Sequence, residues 1–480
     1  MKIGMRRLRF FILLFAASSL LFQFPPDAFA ATPSDITATD AETDGENSFT
    51  ELEGPLDVAT FTIGSSTYAI VASSADNGVQ IIDISDPTAI VAKDAETDGA
   101  NGFTKLKGAR GVDVFTIGSS TYAIVTGYHD NGVQIIDISD VDNLVAKGNM
   151  GNSGGVVLKG ATNVATFVID SSTYAIVVAE TNANGGVQII DISDVDNLVA
   201  KDSMTHNNCS CKLKGARSVD LFTIGSSTYA IVASNVSDSV QIIDISDVDS
   251  IVAKGSMGTA GAGFDNARGV DTFVIGSSTY AIVTAVNDDD VEIIDISDVD
   301  NLVAKGSMED DASLELDGAT EVETFVIDSS TYAIVTARND DGVQIIDISD
   351  VDNIVATDAE TDGENSFTEL EDARGVDVFT IDSSTYAIVT AKTDNGVQII
   401  ELNTGTTSDT SDTSTADDGG SSMCARLVIL GNCGTIAINN DEYRIIHPWS
   451  TIPTTEVMVG EPVSITLSTP HNYAAGKINS

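Results

Sequence analysis

Basic residues are scarce in this chain: 23 Lys and Arg stand against 72 Asp and Glu, a formal net charge of −49. Nucleic acid and anionic membrane surfaces are poor partners for such a molecule, because both are held through Lys and Arg contacts. Cations suit it better, and acidity also keeps an exported protein soluble in a salty medium. Histidine is scarcer still, with only His129, His206, His447 and His471. No nucleophile–base set and no phosphate-binding glycine loop accompanies them, so the sequence offers no converging acid, base and electrophile. After residue 30 no apolar run approaches the ~20 residues that a membrane-spanning helix needs. A 3.6-residue hydrophobic period is also missing, which excludes helical repeats.

Four cysteines fit an oxidising compartment. Cys424 and Cys433 lie close together near the C-terminal end and are expected to form a disulfide. Cys209 and Cys211 sit in "THNNCSCKL" beside His206. A zinc-type site there lacks a fourth ligand, which leaves a local disulfide or two free thiols.

What is present begins with an address. Lys2, Arg6, Arg7 and Arg9 precede the apolar run "FFILLFAASSLLFQF", and "AFA" (Ala28 to Ala30) offers small residues for cleavage. Residues 1–30 therefore read as a secretory signal. The expected product is secreted or held at the cell surface, with no transmembrane span after cleavage.

The rest is dominated by a repeat. "SSTYAIV" occurs seven times, with its tyrosine at Tyr68, Tyr122, Tyr174, Tyr229, Tyr280, Tyr332 and Tyr386, at intervals of 51–55 residues. The unit from Gly108 to Gly148 breaks into "GVDVFTI", "TYAIVTG", "GVQIIDI" and "LVAKG", separated by turn chemistry. The third of these runs is almost continuously apolar, as in a strand covered on both faces. Four-stranded sheets stacked around an axis provide that cover, so residues 31–405 read as an all-β, seven-bladed β-propeller. Lys93, Lys147, Lys201, Lys254 and Lys305 recur in the fourth run and suit an outer edge that resists strand-to-strand aggregation.

One stretch explains how the ring closes. "DAETDGENSFTELE" occurs twice, from Asp40 to Glu53 and from Asp358 to Glu371. The seventh unit ends after "GVQIIELNTG" without a fourth strand, while "ITATDA" (Ile36 to Ala41) is a fourth strand with no unit before it. Together they complete the last blade from both chain ends. The closed ring is read as a monomer.

The cores "NGVQIIDISDPTAIVAK" (Asn77 to Lys93) and its six relatives resemble LVIVD repeats of exported bacterial and archaeal β-propellers. That resemblance covers residues 35 to 405 and implies a propeller and export. It implies no reaction and carries no catalytic motif. Beyond it, residues 406–422 are a Ser/Thr/Asp-rich linker. Residues 423–480 read as a small β-sandwich-like module, or as an immunoglobulin-like start that stops short of the ~100 residues such a domain needs.

Two constellations are candidates for binding. The duplicated stretch fits D-x-E-x-D-G-x5-E, and a calcium loop wants carboxylates at those places. Asp40, Glu42, Asp44 and Glu51 supply them in the first copy, and Asp358, Glu360, Asp362 and Glu369 in the second. Against calcium, Glu stands at the third position, Asn47 and Asn365 at the eighth, and the related "DAETDGANGFTK" ends on Lys105. A polar connecting loop without a cofactor is the competing expectation. The second constellation opens the first strand: Arg110, Arg217, Arg268 and Arg374, with Asp113, Asp220, Asp271, Glu323 and Asp377 in a second register three residues after that position. In a propeller this strand lines the channel, so the charges form rings that either hold an ion or pair blade to blade.

Variation is one-sided. The turns "GSS" and "SDVDN" hardly change, whereas the loops after strands two and four differ freely. Those loops emerge on one face, beside the arginines, as in a binding scaffold with a constant back. The sequence thus points to an exported non-catalytic scaffold that recognises an extracellular protein or polysaccharide. The rival reading is an extracellular hydrolase or lyase working at the channel mouth.

Overall fold

The computed structural model describes residues 36–402, apart from 181–184, 210, 259–262 and 312, together with five short strands between residues 428 and 458. It divides into two units, Met1–Thr406 and Thr407–Ser480. In the second unit Val428–Ile429 pairs with Asn432–Cys433, and Thr435–Asn439, Glu442–Ile446 and Glu456–Met458 form a three-stranded sheet. Cys424 lies outside the described residues, and so does the expected disulfide to Cys433.

The first unit is a seven-bladed β-propeller of four-stranded antiparallel sheets. Blade 2 is representative, with strands Ala109–Ile117, Ser120–Gly127, Gly132–Asp137 and Val145–Gly151 in spatial order. First strands of successive blades pack on one another around the axis, and the ring closes where that of blade 7 (Ala373–Ile381) meets that of blade 1 (Pro55–Ile63).

Local chemistry accounts for each blade. The turn after the first strand has two central residues with positive φ in blade 3, Asp170 at 50° and Ser171 at 68°. That is the backbone a tight hairpin with native twist requires. The repeated tyrosine pairs with a phenylalanine of the first strand, as in Phe115 and Tyr122 with ring centroids 5.6 Å apart. The third strand is apolar on both faces because both are covered: Val133, Ile135 and Ile136 are fully buried.

Blade 7 is completed as the sequence indicates. Its sheet runs Thr37–Thr43, Gly396–Glu401, Ser384–Ala391, Ala373–Ile381, with Thr37 opposite Glu401 and Thr43 opposite Gly396. The fourth strand is also latched to its neighbour blade. Asp40 Oδ2 accepts the backbone N–H of Ile90 at 2.7 Å, as Asp94 accepts that of Leu144 at 2.7 Å. Asp358 in turn accepts the N–H of Ile36 at 2.6 Å. The duplicated aspartates are thus blade-to-blade fasteners, and the copy at the front of the chain carries its fastener with it. The edge lysines form ion pairs: Lys147 reaches Asp137 of its own blade at 3.5 Å, and Lys201 reaches Asp249 of the next at 3.4 Å.

Candidate functional site

The axial channel holds two layers of charge. Its body is a cavity of about 310 Å³ lined by Asp57, Asp113, Asn163, Asp220, Asp271, Glu321, Glu323 and Asp377. At one mouth stand Arg110, Arg217, Arg268 and Arg374 around a recess of about 50 Å³. The structure therefore brings all four predicted arginines together, with the predicted carboxylates one layer below.

The carboxylate layer is built from junction hydrogen bonds. Asp57 accepts the N–H of Val112 at 2.9 Å, Asp113 that of Thr166 at 2.6 Å, and Asp220 that of Thr272 at 2.9 Å. Asp271 accepts from Thr324 at 2.8 Å, and Asn163 Oδ1 from Val219 at 3.3 Å. Each acceptor fastens the first strand of the following blade. Sequence reasoning missed Asp57, Asn163 and Glu321, which occupy the residue after the Arg position rather than three residues on. The signal was there in reverse: where Asp57 and Asn163 stand, the later position is Ala59 and Ala165.

A glycine makes the exchange possible. Blades 2, 5 and 7 read Arg-Gly, and the blades that follow them carry Asn163, Glu321 and Asp57. A Cβ on Gly111 would lie 2.6 Å from Asn163 Cα and 2.7 Å from Thr162 O, so the inner strands approach closer than any other residue permits.

Burial, with neighbouring like charges, raises the carboxyls of this layer above their ordinary range. Desolvation pushes Asp57 up to about 7 and Asp113 to about 6. Desolvation and then the neighbouring Asp271 push Asp220 to about 8. Glu321 rises to about 8 through desolvation first and the charge of Asp57 second. Glu323 is raised well above the ordinary carboxylate range by burial and then by Asp271.

The guanidinium layer is short of counter-charge. Glu180 Oε2 lies 2.6 Å from Arg217 Nη1 and 3.7 Å from Arg110 Nη1, so one carboxylate serves two arginines. Arg110 also stacks over Tyr128, 4.5 Å from the ring centroid. Arg374 pairs with Asp372, which Lys392 shares at 3.2 Å. Among the described residues no carboxylate comes within 4.0 Å of Arg268. Burial, and next the charge of Arg217, lower Arg268 well below the usual guanidinium range, and the same causes bring Arg110 down to about 10. Glu180 sits in the loop after a second strand and Asp372 just before a first strand, and no repeat position marked them.

In the duplicated loop the predicted carboxylates accept backbone and asparagine N–H groups. Besides the fasteners Asp40 and Asp358, Asp44 accepts the N–H of Leu52 at 3.1 Å and Asp362 that of Leu370 at 3.2 Å. Glu42 takes the amide of Asn47 at 2.8 and 3.0 Å, and Glu360 that of Asn365 at 2.9 and 3.1 Å. Asn47 and Asn365 have φ of 45° and 47°, so this asparagine is a turn residue, steadied by the glutamate before it. Glu369 accepts from Thr43 at 2.8 Å, while Glu51 Oε2 and Glu369 Oε2 are buried without a partner. Among the described residues no group of three or more His, Cys, Asp or Glu side chains forms a metal-holding set. Cys209 and Cys211 are joined as a disulfide beside a one-turn helix, His206–Cys209.

No family model matches the chain, and no curated protein does. Among solved structures it is similar to a functionally unknown protein from Desulfotomaculum acetoxidans, at 14% identity over 65% of this chain and 90% of that one, with a TM-score of 0.45. A protein from Lactobacillus plantarum matches at 14% identity over 64% of this chain and 84% of that one, with a TM-score of 0.49. Likeness at this distance carries no functional argument.

Proposed function

We propose that this propeller is an exported binding scaffold of the LVIVD-repeat type that recognises anionic groups through the arginine-bearing mouth. One observation carries the reading: four guanidiniums meet at one mouth of a very acidic molecule, and Glu180 and Asp372 are the carboxylates paired with them. Planar guanidiniums match carboxylate and sulfate groups through paired donors. An acidic surface polysaccharide or an acidic protein segment is the ligand class. The net charge of −49 repels such ligands at long range, so capture depends on the local arginines. The signal-like residues 1–30 and the "GVQIIDISD" cores support export and the repeat type. A channel enzyme is the weaker reading, because five of the channel acids accept the backbone of an adjoining blade.

The test replaces Arg110, Arg217, Arg268 and Arg374 with Gln and measures binding to native cell envelopes. A matched set of changes in the "SDVDN" turns of the opposite face is the control. Loss confined to the arginine set is expected; equal loss from both, or loss from the turns alone, places recognition elsewhere. Turnover of an extracellular polymer by the unmodified protein would favour the enzyme.

A further inference from the structure

Six of the seven third strands carry a buried glutamine: Gln80, Gln134, Gln188, Gln241, Gln344 and Gln398. Gln134 shows its task. Its Nε2 donates to the carbonyls of Ile135 at 3.2 Å, Lys147 at 2.9 Å and Gly148 at 3.2 Å, and its Oε1 accepts the N–H of Thr104 at 3.2 Å. The amide thereby ties the third strand to the fourth and to the loop that enters the blade.

Blade 5 has Glu292 at this position. An ionised carboxylate has no N–H to offer to the carbonyl oxygens that the amide serves in the other blades. Blade 5 departs twice more at the same spot. Asp290 stands where the other blades have Gly or Ser, and Gly263 stands where they have Glu, Lys or Val. Both acids converge on the place of the lost loop side chain: a Cβ on Gly263 would lie 3.0 Å from Glu292 Oε2 and 3.1 Å from Asp290 Oδ2. Asp290 is only 7% exposed, and its Oδ1 has no hydrogen-bond partner. Asp288 and Glu309 add further negative charge, and burial with these neighbours pushes Asp290 up to about 8. In blade 2 the corresponding place is filled by Lys105, whose stem lies against Gly132 and whose ammonium lies over Gly151. Blade 5 has two carboxylates there and no ammonium.

We propose that this junction binds one divalent cation of the calcium class, held by Asp290 and Glu292. The carbonyls of Ile293, Lys305 and Gly306, which correspond to those served by Gln134, complete the donor set with water. An all-oxygen, carboxylate-rich set selects a hard cation, and calcium tolerates the irregular geometry of a site shared by loop and strands. The site is separate from the arginine mouth and from the duplicated loop, and does not rest on the binding role proposed above.

The full chain is tested by thermal unfolding and calorimetry with calcium chloride or EDTA, at about 0.15 M salt to screen the acidic surface. Two variants, Glu292→Gln and Asp290→Gly, restore residues that other blades carry and are therefore expected to fold. The wild type should bind one calcium ion per chain and melt higher with calcium than with EDTA. Both variants should lose that binding and that shift, and melt higher than the wild type in EDTA. A calcium shift of equal size in wild type and variants overturns the site. So does a wild type indifferent to calcium that instead gains stability toward pH 5, the signature of two carboxyls sharing a proton.

Discussion

Asp377 in the last blade accepts the backbone N–H of Thr60 in the first at 2.6 Å, so the inner ring is fastened across residues 317 apart in sequence. The same contact recurs at other junctions, but only this one joins the two ends of the propeller. Replacing Asp377 with Ala leaves a buried N–H without a partner, a cost of about 1–3 kcal/mol. Denaturant unfolding should show that loss for Asp377→Ala. An unchanged midpoint would mean that packing and the remaining hydrogen bonds, such as Ile90 N–H to Asp40, close the junction without it.

The channel acids set a pH dependence with a definite sign. Their folded values, about 6 for Asp113, 7 for Asp57 and 8 for Asp220 and Glu321, exceed the ordinary carboxylate range. Folding therefore favours their protonated forms. Their stabilising contribution is complete below pH ~4 and is lost as pH rises through about 6 to 8. Melting temperature should fall between pH 5 and pH 9. Self-repulsion of the acidic surface acts in the same direction, so the double variant Asp220→Asn, Glu321→Gln separates the two effects. It should flatten the decline. A slope identical to the wild type's would show that the channel acids do not drive it.

Much of this architecture was legible because it is periodic. The tyrosine spacing counts the blades, and the orphan fourth strand at Ile36 announces closure. The arginines were found for the same reason, as a repeat position at the start of the innermost strand. What escaped are the pairings between unlike blades. Glu180 reaches Arg110 and Arg217 from a loop with no repeat pattern, and Asp57 takes over in blade 1 from the repeat aspartate position two residues further on, where Ala59 stands. Such exchanges depend on which blades adjoin, which a single repeat cannot show. The spacing of Asp40, Glu42 and Asp44 also fits a calcium loop, and periodicity does not show what the structure adds: Asp40 Oδ2 and Asp44 Oδ1 accept backbone N–H groups, and Glu42 accepts the amide of Asn47.

Close approach of the inner strands yields a second stability test. A Cβ on Gly375 would lie 2.7 Å from Asp57 Cα and 2.9 Å from Leu56 O, both backbone atoms that move only with the blade. Gly375→Ala should cost about 1–3 kcal/mol, as overpacking does. Gly118→Ala is not an equivalent control, because φ at Gly118 is 66° and alanine there is strained in open space. Gly148 has ordinary φ but backbone neighbours at 2.7 Å, so Gly148→Ala should be costly too, at the rim rather than the channel. If either change is tolerated without loss of melting temperature, the blades have slack that the inner contacts do not suggest.

The closure itself is the most demanding test. Removing residues 31–53 deletes the fourth strand of blade 7 and exposes the edge of Gly396–Glu401, now paired from Thr37 to Thr43. It also removes Phe49 and Leu52, both fully buried against blades 7 and 1, and the N–H of Ile36 that Asp358 accepts. Loss of a buried Phe alone costs about 3–5 kcal/mol. An open apolar edge invites pairing with other chains. The truncated protein should melt well below the full chain and aggregate with second-order kinetics, and Phe49→Ala should reproduce the stability loss without the aggregation, because it leaves the edge paired. A truncated chain that melts like the full one would dismiss closure from both ends. Aggregation by Phe49→Ala to the same extent would assign the instability to the lost core rather than to the open strand.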